Sequence, residues 1–334
     1  MSTDKMAPLG DGRPAQAHTQ AWLETLDAHA MEHGFHARLG RRHGALYTED
    51  DDAILLVTFE DATAIRATTP ALPYGLKCAG KQGWSQLTLY SDGPTWFRDR
   101  ELYAFFDDLV DDGFFDLFDT VLFYGAGAGG YAACAYSVAA PGARVLAIRP
   151  QATLDPRFTG WDRRFLGARR LSFTERYGNA AELLDAAEQA FVVYDPMVLE
   201  DAMHAALFGT RAHHLRTPYF GAQTERELEA CGMLEQMLRL AVRNRLDPQT
   251  FASLYRRRHA HAAYLQRVMA VLEAARLPAR QAVWCRAALR TTDCPVLRAG
   301  LARAEAALAT TGRSLPPAHA PAHAPAAALE SNAS

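Results

Sequence analysis

Short apolar runs alternate with helix-spaced patterns along the first two-thirds of the chain, and this alternation predicts repeated strand and helix units. AILLVTFE (53–60) is a nearly unbroken apolar run behind the acidic turn Glu49-Asp50-Asp51-Asp52, and it predicts a buried strand. SQLTLYSD (85–92), TVLFYG (120–125), ARVLAIRP (143–150) and AFVVYDP (190–196) predict further strands, with a short last one in HHLRTPYFG (213–221). Between them, 99–111 puts Leu102, Phe105, Phe106, Leu109 and Val110 on one helical face, and further helices are predicted over 131–140 and 180–189. Strands separated by helices join by crossover connections, so the expected fold is α/β, a mostly parallel sheet with helices on both faces. From 224 to 309 the pattern is wholly helical, and Asp247-Pro248 supplies an N-cap with proline at the first helical position.

The two ends lack this patterning. Residues 1–18 are polar and rich in Pro, Gly and Ala, and 312–334 is a low-complexity Ala/Pro tail; both are expected to be disordered. The expected organisation is a sheet domain over 19–223 and a helical appendage over 224–311. His319 and His323 fall in the tail as repeats of HAP, which is composition rather than a metal pair. An apolar share of 49% and a charged share of 22% are globular values. No apolar run approaches the roughly 18 to 20 residues needed to span a bilayer, and the N-terminus has no apolar signal core, so a cytoplasmic protein without a membrane partner is expected. Cys78, Cys134, Cys231, Cys285 and Cys294 form no CxxC pair, which predicts buried thiols and no metal site. The net charge of −3, together with an arginine cluster (Arg256-Arg257-Arg258) without interleaved aromatic residues, does not point to nucleic acid. The cluster reads as a solvated helix face.

The densest signal is the turn Gly125-Ala126-Gly127-Ala128-Gly129-Gly130-Tyr131, between a strand and a helix. A G-x-S-x-G elbow would place its nucleophile at the middle position, and here that position is Gly127. The same residues satisfy G-x-G-x-x-G through Gly125, Gly127 and Gly130, a dinucleotide fingerprint; Arg149 after the next strand would suit a 2′-phosphate. That fingerprint normally opens its domain, whereas at least two strands precede it here. A tight turn that needs small residues and binds nothing is the third reading.

FYGAGAGGYAACAYSVAAPGARVLAIRPQATLDP (123–156) resembles α/β-hydrolase-fold proteins with a YGSSMGGYAAL turn, and the similarity spans roughly 50–221. LKCAGKQGW (76–84), DGPTWFRD (92–99), PQATLDP (150–156) and DAMHAALF (201–208) resemble a bacterial family with a degenerate, serine-less elbow, whose members often carry the label phosphoadenosine phosphosulfate reductase. The chain lacks the SGGxDS phosphate loop and the ECGLH-like cysteine segment that this chemistry would require.

The resemblance implies an acid after a late strand and a histidine after the last one. Asp195 fills the first place; Phe220-Gly221-Ala222-Gln223 stands where the histidine belongs. His204, three residues after Asp201 on one helix, is the substitute base, while Cys134 and Ser137 lie too deep in the elbow helix to serve as nucleophiles. Asp155, followed by Trp161, Arg163 and Arg164, could line a pocket at the carboxyl edge of the sheet. The leading expectation is a non-catalytic binding or scaffold protein. In that reading Gly125, Gly127, Gly129, Gly130, Tyr131 and Asp155 frame a site for a small anionic ligand at the helix start. The alternative is an enzyme, either a hydrolase or transferase with an atypical site built on Asp195 and His204, or a nucleotide-binding enzyme of NADP or phosphoadenosine phosphosulfate type, the latter disfavoured by the absence of its phosphate loop and cysteine motif. The residues name no cofactor and no oligomeric state.

Overall fold

A computed structural model describes residues 13–50 and 52–312; of the N-terminal stretch expected to be disordered, 1–12 lie outside them and 13–18 open a helix, Arg13–His33, while the tail from 313, with its histidines, lies outside them. Eight strands form one sheet: β1 Gly34–Leu39, β2 His43–Thr48, β3 Asp52–Asp61, β4 Trp84–Ser91, β5 Thr120–Ala126, β6 Arg144–Ile148, β7 Gln189–Tyr194 and β8 His213–Arg216. Their order, β1-β2-β4-β3-β5-β6-β7-β8, is that of an α/β-hydrolase-like sheet. The β3 to β8 pairings are parallel, and β1 and β2 add an antiparallel edge against β4.

Thirteen α-helices lie among the described residues. They are α1 Arg13–His33, α2 Ala62–Arg66, α3 Tyr74–Gly80, α4 Arg100–Asp111, α5 Ala128–Tyr136, α6 Pro156–Thr159, α7 Leu199–Leu207, α8 Thr224–Ala230, α9 Leu234–Val242, α10 Pro248–Tyr255, α11 Ala262–Ala274, α12 Pro278–Ala288 and α13 Pro295–Ala309. One sheet face presents Leu55, Val57, Phe59, Val121 and Phe123 to Leu102 and Phe106 of α4 and to α5, in the main core. On the other face Leu46 and Tyr90 pack with Trp22 and Leu26 of α1 and with Ala62 and Ile65 of α2. Helices thus cover both faces, which is why β3 and β5 read as unbroken apolar runs.

Three expectations change. The β1–β2 hairpin was not anticipated, because GFHARLGRRHGALYT mixes His and Arg with few β-branched residues. The helix expected over 131–140 begins earlier, at Ala128, directly behind the glycine turn, and ends in a 3-10 turn, Ser137–Ala139. The helix expected over 180–189 is only a 3-10 turn, Leu183–Ala186. Its backbone is drawn to the strand entrance instead: Gly142 N donates to Ala186 O at 2.8 Å, and Glu188 N to Ala143 O at 2.9 Å.

The chain divides into two compact units between Tyr255 and Arg256, later than the start of the helical pattern at Thr224. The first holds the sheet and α1 to α10. In the second, α11 to α13 bury Leu265, Met269, Cys285, Leu297 and Leu308 among themselves. Arg258, in the arginine cluster, donates to Tyr264 Oη at 3.2 Å within that unit.

Candidate functional site

The strand–turn–helix β5–α5 has the backbone of a nucleophile elbow. Gly127 sits at φ 56°, ψ −120°, a region that residues with a Cβ rarely enter, and an added Cβ there would meet nothing within 4 Å. The turn is pinned on both sides, since Gly127 N donates to Ile148 O at 2.8 Å and Tyr131 N donates to Gly127 O at 2.9 Å. The flanking glycines answer to packing. A Cβ on Gly125 would lie 2.2 Å from Gly129 O, and one on Gly129 would lie 2.2 Å from Phe59 O of β3. A Cβ on Gly130 would lie 3.1 Å from Ile148 O, so Gly125, Gly129 and Gly130 let strand and helix approach closely. Tyr131 is fully buried, donates its hydroxyl to Tyr177 O and receives Arg98 Nη1 at 3.3 Å; burial pushes its pKa up.

The acid position is built as expected, but its oxygens are spent on the backbone. Asp195, at the end of β7 and 1% exposed, accepts from Met197 N at 2.8 Å and from Gly221 N at 2.5 Å. Gly221–Gln223 forms a 3-10 turn where a triad histidine would stand, so Asp195 holds that loop directly.

His204 lies on α7, fully buried, with both ring nitrogens engaged. Nδ1 accepts from Ala152 N at 3.2 Å, which places the proton on Nε2, and Nε2 donates to Asp162 Oδ2 at 3.0 Å. Burial lowers the His204 pKa against the opposing pull of Asp162. The expected partner Asp201 reaches it only indirectly: Arg164 donates to Asp201 Oδ1 at 2.6 Å and to Asp162 Oδ2 at 2.8 Å. Burial acts to raise the Asp162 pKa, but its hydrogen bonds and its ion pair with Arg164 prevail and hold it down. Trp161 covers the imidazole, with ring centroids 4.7 Å apart. This relay joins a loop to a helix and presents no free nitrogen.

Asp155 caps α6, accepting from Arg157 N at 2.9 Å and pairing with its guanidinium at 2.5 Å, an interaction that lowers the Asp155 pKa. It does line a cavity of about 370 Å³ with Thr153, Phe173 and Tyr177. Cys134 is fully buried, and burial alone pushes its thiol up, which leaves it inert. Among the described residues, no group of three or more His, Cys, Asp or Glu is placed to hold a metal ion, and no helix is long and apolar enough to cross a membrane.

The cavity beside the elbow was not foreseen. It measures about 270 Å³, reaches Ala126 just before Gly127, and is bounded by the carboxyl ends of β3 and β5 and by α2, α3 and α8. Glu60, Asp61, Glu225 and Glu229 line it together with Lys77. Glu60 is saturated: it accepts from Tyr74 N at 2.7 Å, Gly75 N at 2.8 Å and Thr58 Oγ1 at 2.8 Å. Burial nevertheless raises its pKa beyond what those donors offset. Glu225 receives the Tyr124 hydroxyl on Oε1. Its pKa is raised by burial, against that hydrogen bond, with the nearby Glu60 charge adding to the rise. The signal for Glu60 was a carboxylate closing an apolar strand; Glu225 sits in the polar helix TERELEA and gave none.

No family model matches the chain, and no curated protein matches it. Solved structures similar to it include Est1E from Butyrivibrio proteoclasticus, at 13% identity over 61% of this chain and 97% of that one, with a TM-score of 0.41. EstE1, a carboxylesterase cloned from a metagenomic library, matches at 13% identity over 73% of this chain and 97% of its own, TM-score 0.41. The capsule O-acetyltransferase of Neisseria meningitidis serogroup A matches at 13% identity over 60% and 93%, TM-score 0.40. Each activity named belongs to that protein.

Proposed function

We propose that this chain is a non-catalytic ligand-binding protein built on an α/β-hydrolase-like sheet, with its elbow kept as architecture and emptied of chemistry. The observation that carries the reading is Gly127. The residue adopts the elbow backbone with open space in front of it and has no side chain to attack a carbonyl. Support comes also from the two other triad positions. Asp195 gives both oxygens to backbone N–H groups, and the turn after β8 offers Gly221, Ala222 and Gln223 in place of a base. His204 would need to give up the buried bond from Ala152 N to Nδ1, its one unprotonated nitrogen, before it could accept a proton from a substrate.

The nucleotide reading finds less support. A pyrophosphate at the start of α5 would adjoin a cavity lined by four carboxyl side chains, and Coulomb repulsion at that range opposes it. The expected anion at the same place meets the same repulsion.

The test is ester turnover. Wild type and Gly127→Ser should both hydrolyse p-nitrophenyl acetate no faster than the buffer does, because a restored hydroxyl finds no base. Enzyme-like turnover by wild type that Asp195→Asn abolishes, with the variant still folded by circular dichroism, would overturn the proposal.

A further inference from the structure

A second cavity lies at the carboxyl end of β4, lined by different residues from the one beside the elbow and carrying the opposite charge. We infer that it binds a small organic oxyanion, a carboxylate or phosphate group on an aromatic body, with Arg42 and Arg170 holding the charged head. Such a site supplies the ligand-binding reading with a ligand class and makes no use of the elbow.

Three loops meet there. Arg42 belongs to the β1–β2 turn, which the pairing of His43 with Ser91 sets against the end of β4. Pro94 and Trp96 lie between β4 and α4, and Arg164, Phe165 and Arg170 lie between α6 and β7. The cavity measures about 500 Å³, a small-molecule size, and the Trp96 and Phe165 rings meet edge-on in its wall with centroids 4.9 Å apart. No Asp or Glu among the described residues lines it, and its three charged side chains are all arginines. They differ in what they have left to give. Arg164 is committed, donating to Asp162 at 2.8 Å and to Asp201 at 2.6 Å. Arg42 and Arg170 have no acceptor among the described residues, and a guanidinium fork matches an oxyanion with two parallel hydrogen bonds. The carboxylates of the adjoining loops are engaged elsewhere: Asp92 receives Arg66 at 3.0 Å, and Asp99 caps α4 through Glu101 N at 3.1 Å. Trp96 points to the same ligand. It is only 3% exposed, yet its indole N–H has no acceptor among the described residues, and a buried indole ordinarily finds one. An oxygen of the ligand would complete it. The indole is held in place beforehand, because Trp96 and Phe97 both keep a left-handed backbone, φ 56° and 55°, and Thr95 Oγ1 is tied to buried His43 Nε2 at 2.7 Å. Residues with a Cβ hold that backbone only where packing imposes it, so little ordering is left for the ligand to cause.

The test is calorimetric titration of the full chain with three probes of one ring system and different heads: 1-naphthaleneacetate, 1-naphthyl phosphate and 1-naphthaleneethanol. At least one of the two anions should bind about tenfold or more tightly than the alcohol, and the tighter of the two identifies the head group. Arg42→Gln and Arg170→Gln alter exposed side chains without partners, so both variants should stay folded; each should lower the affinity for that anion about tenfold and leave the alcohol's unchanged. No binding of either anion at millimolar concentration, equal binding of anions and alcohol, or unchanged anion affinity in either folded variant overturns the inference. None of the probes is a carboxylic ester, so ester turnover by the wild type would strike the non-catalytic reading separately from this titration.

Discussion

Gly127 and Gly129 both favour glycine, for different physical reasons that a stability measurement separates. Gly127 has room for a Cβ but holds φ 56°, ψ −120°, so Gly127→Ala should cost about 1–3 kcal/mol of backbone strain. Gly129 has an ordinary helical backbone, but an added Cβ would press to 2.2 Å from Phe59 O, a backbone atom that cannot swing away. Gly129→Ala should therefore cost more, roughly 4 kcal/mol or above, as strand and helix are forced apart. Urea denaturation of the two variants checks the order, and a reversed order would contradict this account of the elbow. The spacing of these glycines was legible along the chain, and so was the missing serine. What each glycine does was not, because a close approach between β3 and α5 involves residues some seventy positions apart. Glu225 was illegible for the same reason: only the fold brings it against Tyr124, 101 residues earlier.

The relay from Ala152 through His204, Asp162 and Arg164 to Asp201 is the feature that fastens α7 to the loop after α6. Its histidine makes that joint pH-dependent. Burial lowers the folded pKa of His204, so the unfolded chain binds the proton more readily. The stability due to neutral His204 is then full above the ordinary value near 6.5 and is lost as pH falls through the lowered folded value. His204→Gln should cut the stability lost between about pH 7 and about pH 5, while leaving the share of His43, which burial holds down to about 4. Denaturant midpoints at the two pH values check this; an undiminished loss in the variant would assign the acid sensitivity elsewhere. The pairing on α7 was anticipated from spacing as Asp201 with His204. The structure inserts Arg164 between them, because two buried carboxylates and one imidazole need a cation to be held together.

At the scale of the whole molecule, the cavity beside the elbow, the Gly127 turn and the Asp195 anchor all lie within the first compact unit. A chain ending at Tyr255 should consequently unfold in one cooperative transition; a truncated chain without a cooperative melt would refute the division at Arg256. Several properties were determined by the residues in order. Apolar runs such as VLFYG and VLAI set the central strands, helical spacing set α4, and the glycine turn set the elbow, because each depends on neighbours a few positions away. The edge hairpin, the loss of the 180–189 helix, the engagement of Asp195 and His204, and the four-carboxylate cavity were decided by tertiary structure alone. They depend on which distant backbone donor or charge arrives beside a given group, and only the folding of the sheet brings those partners together.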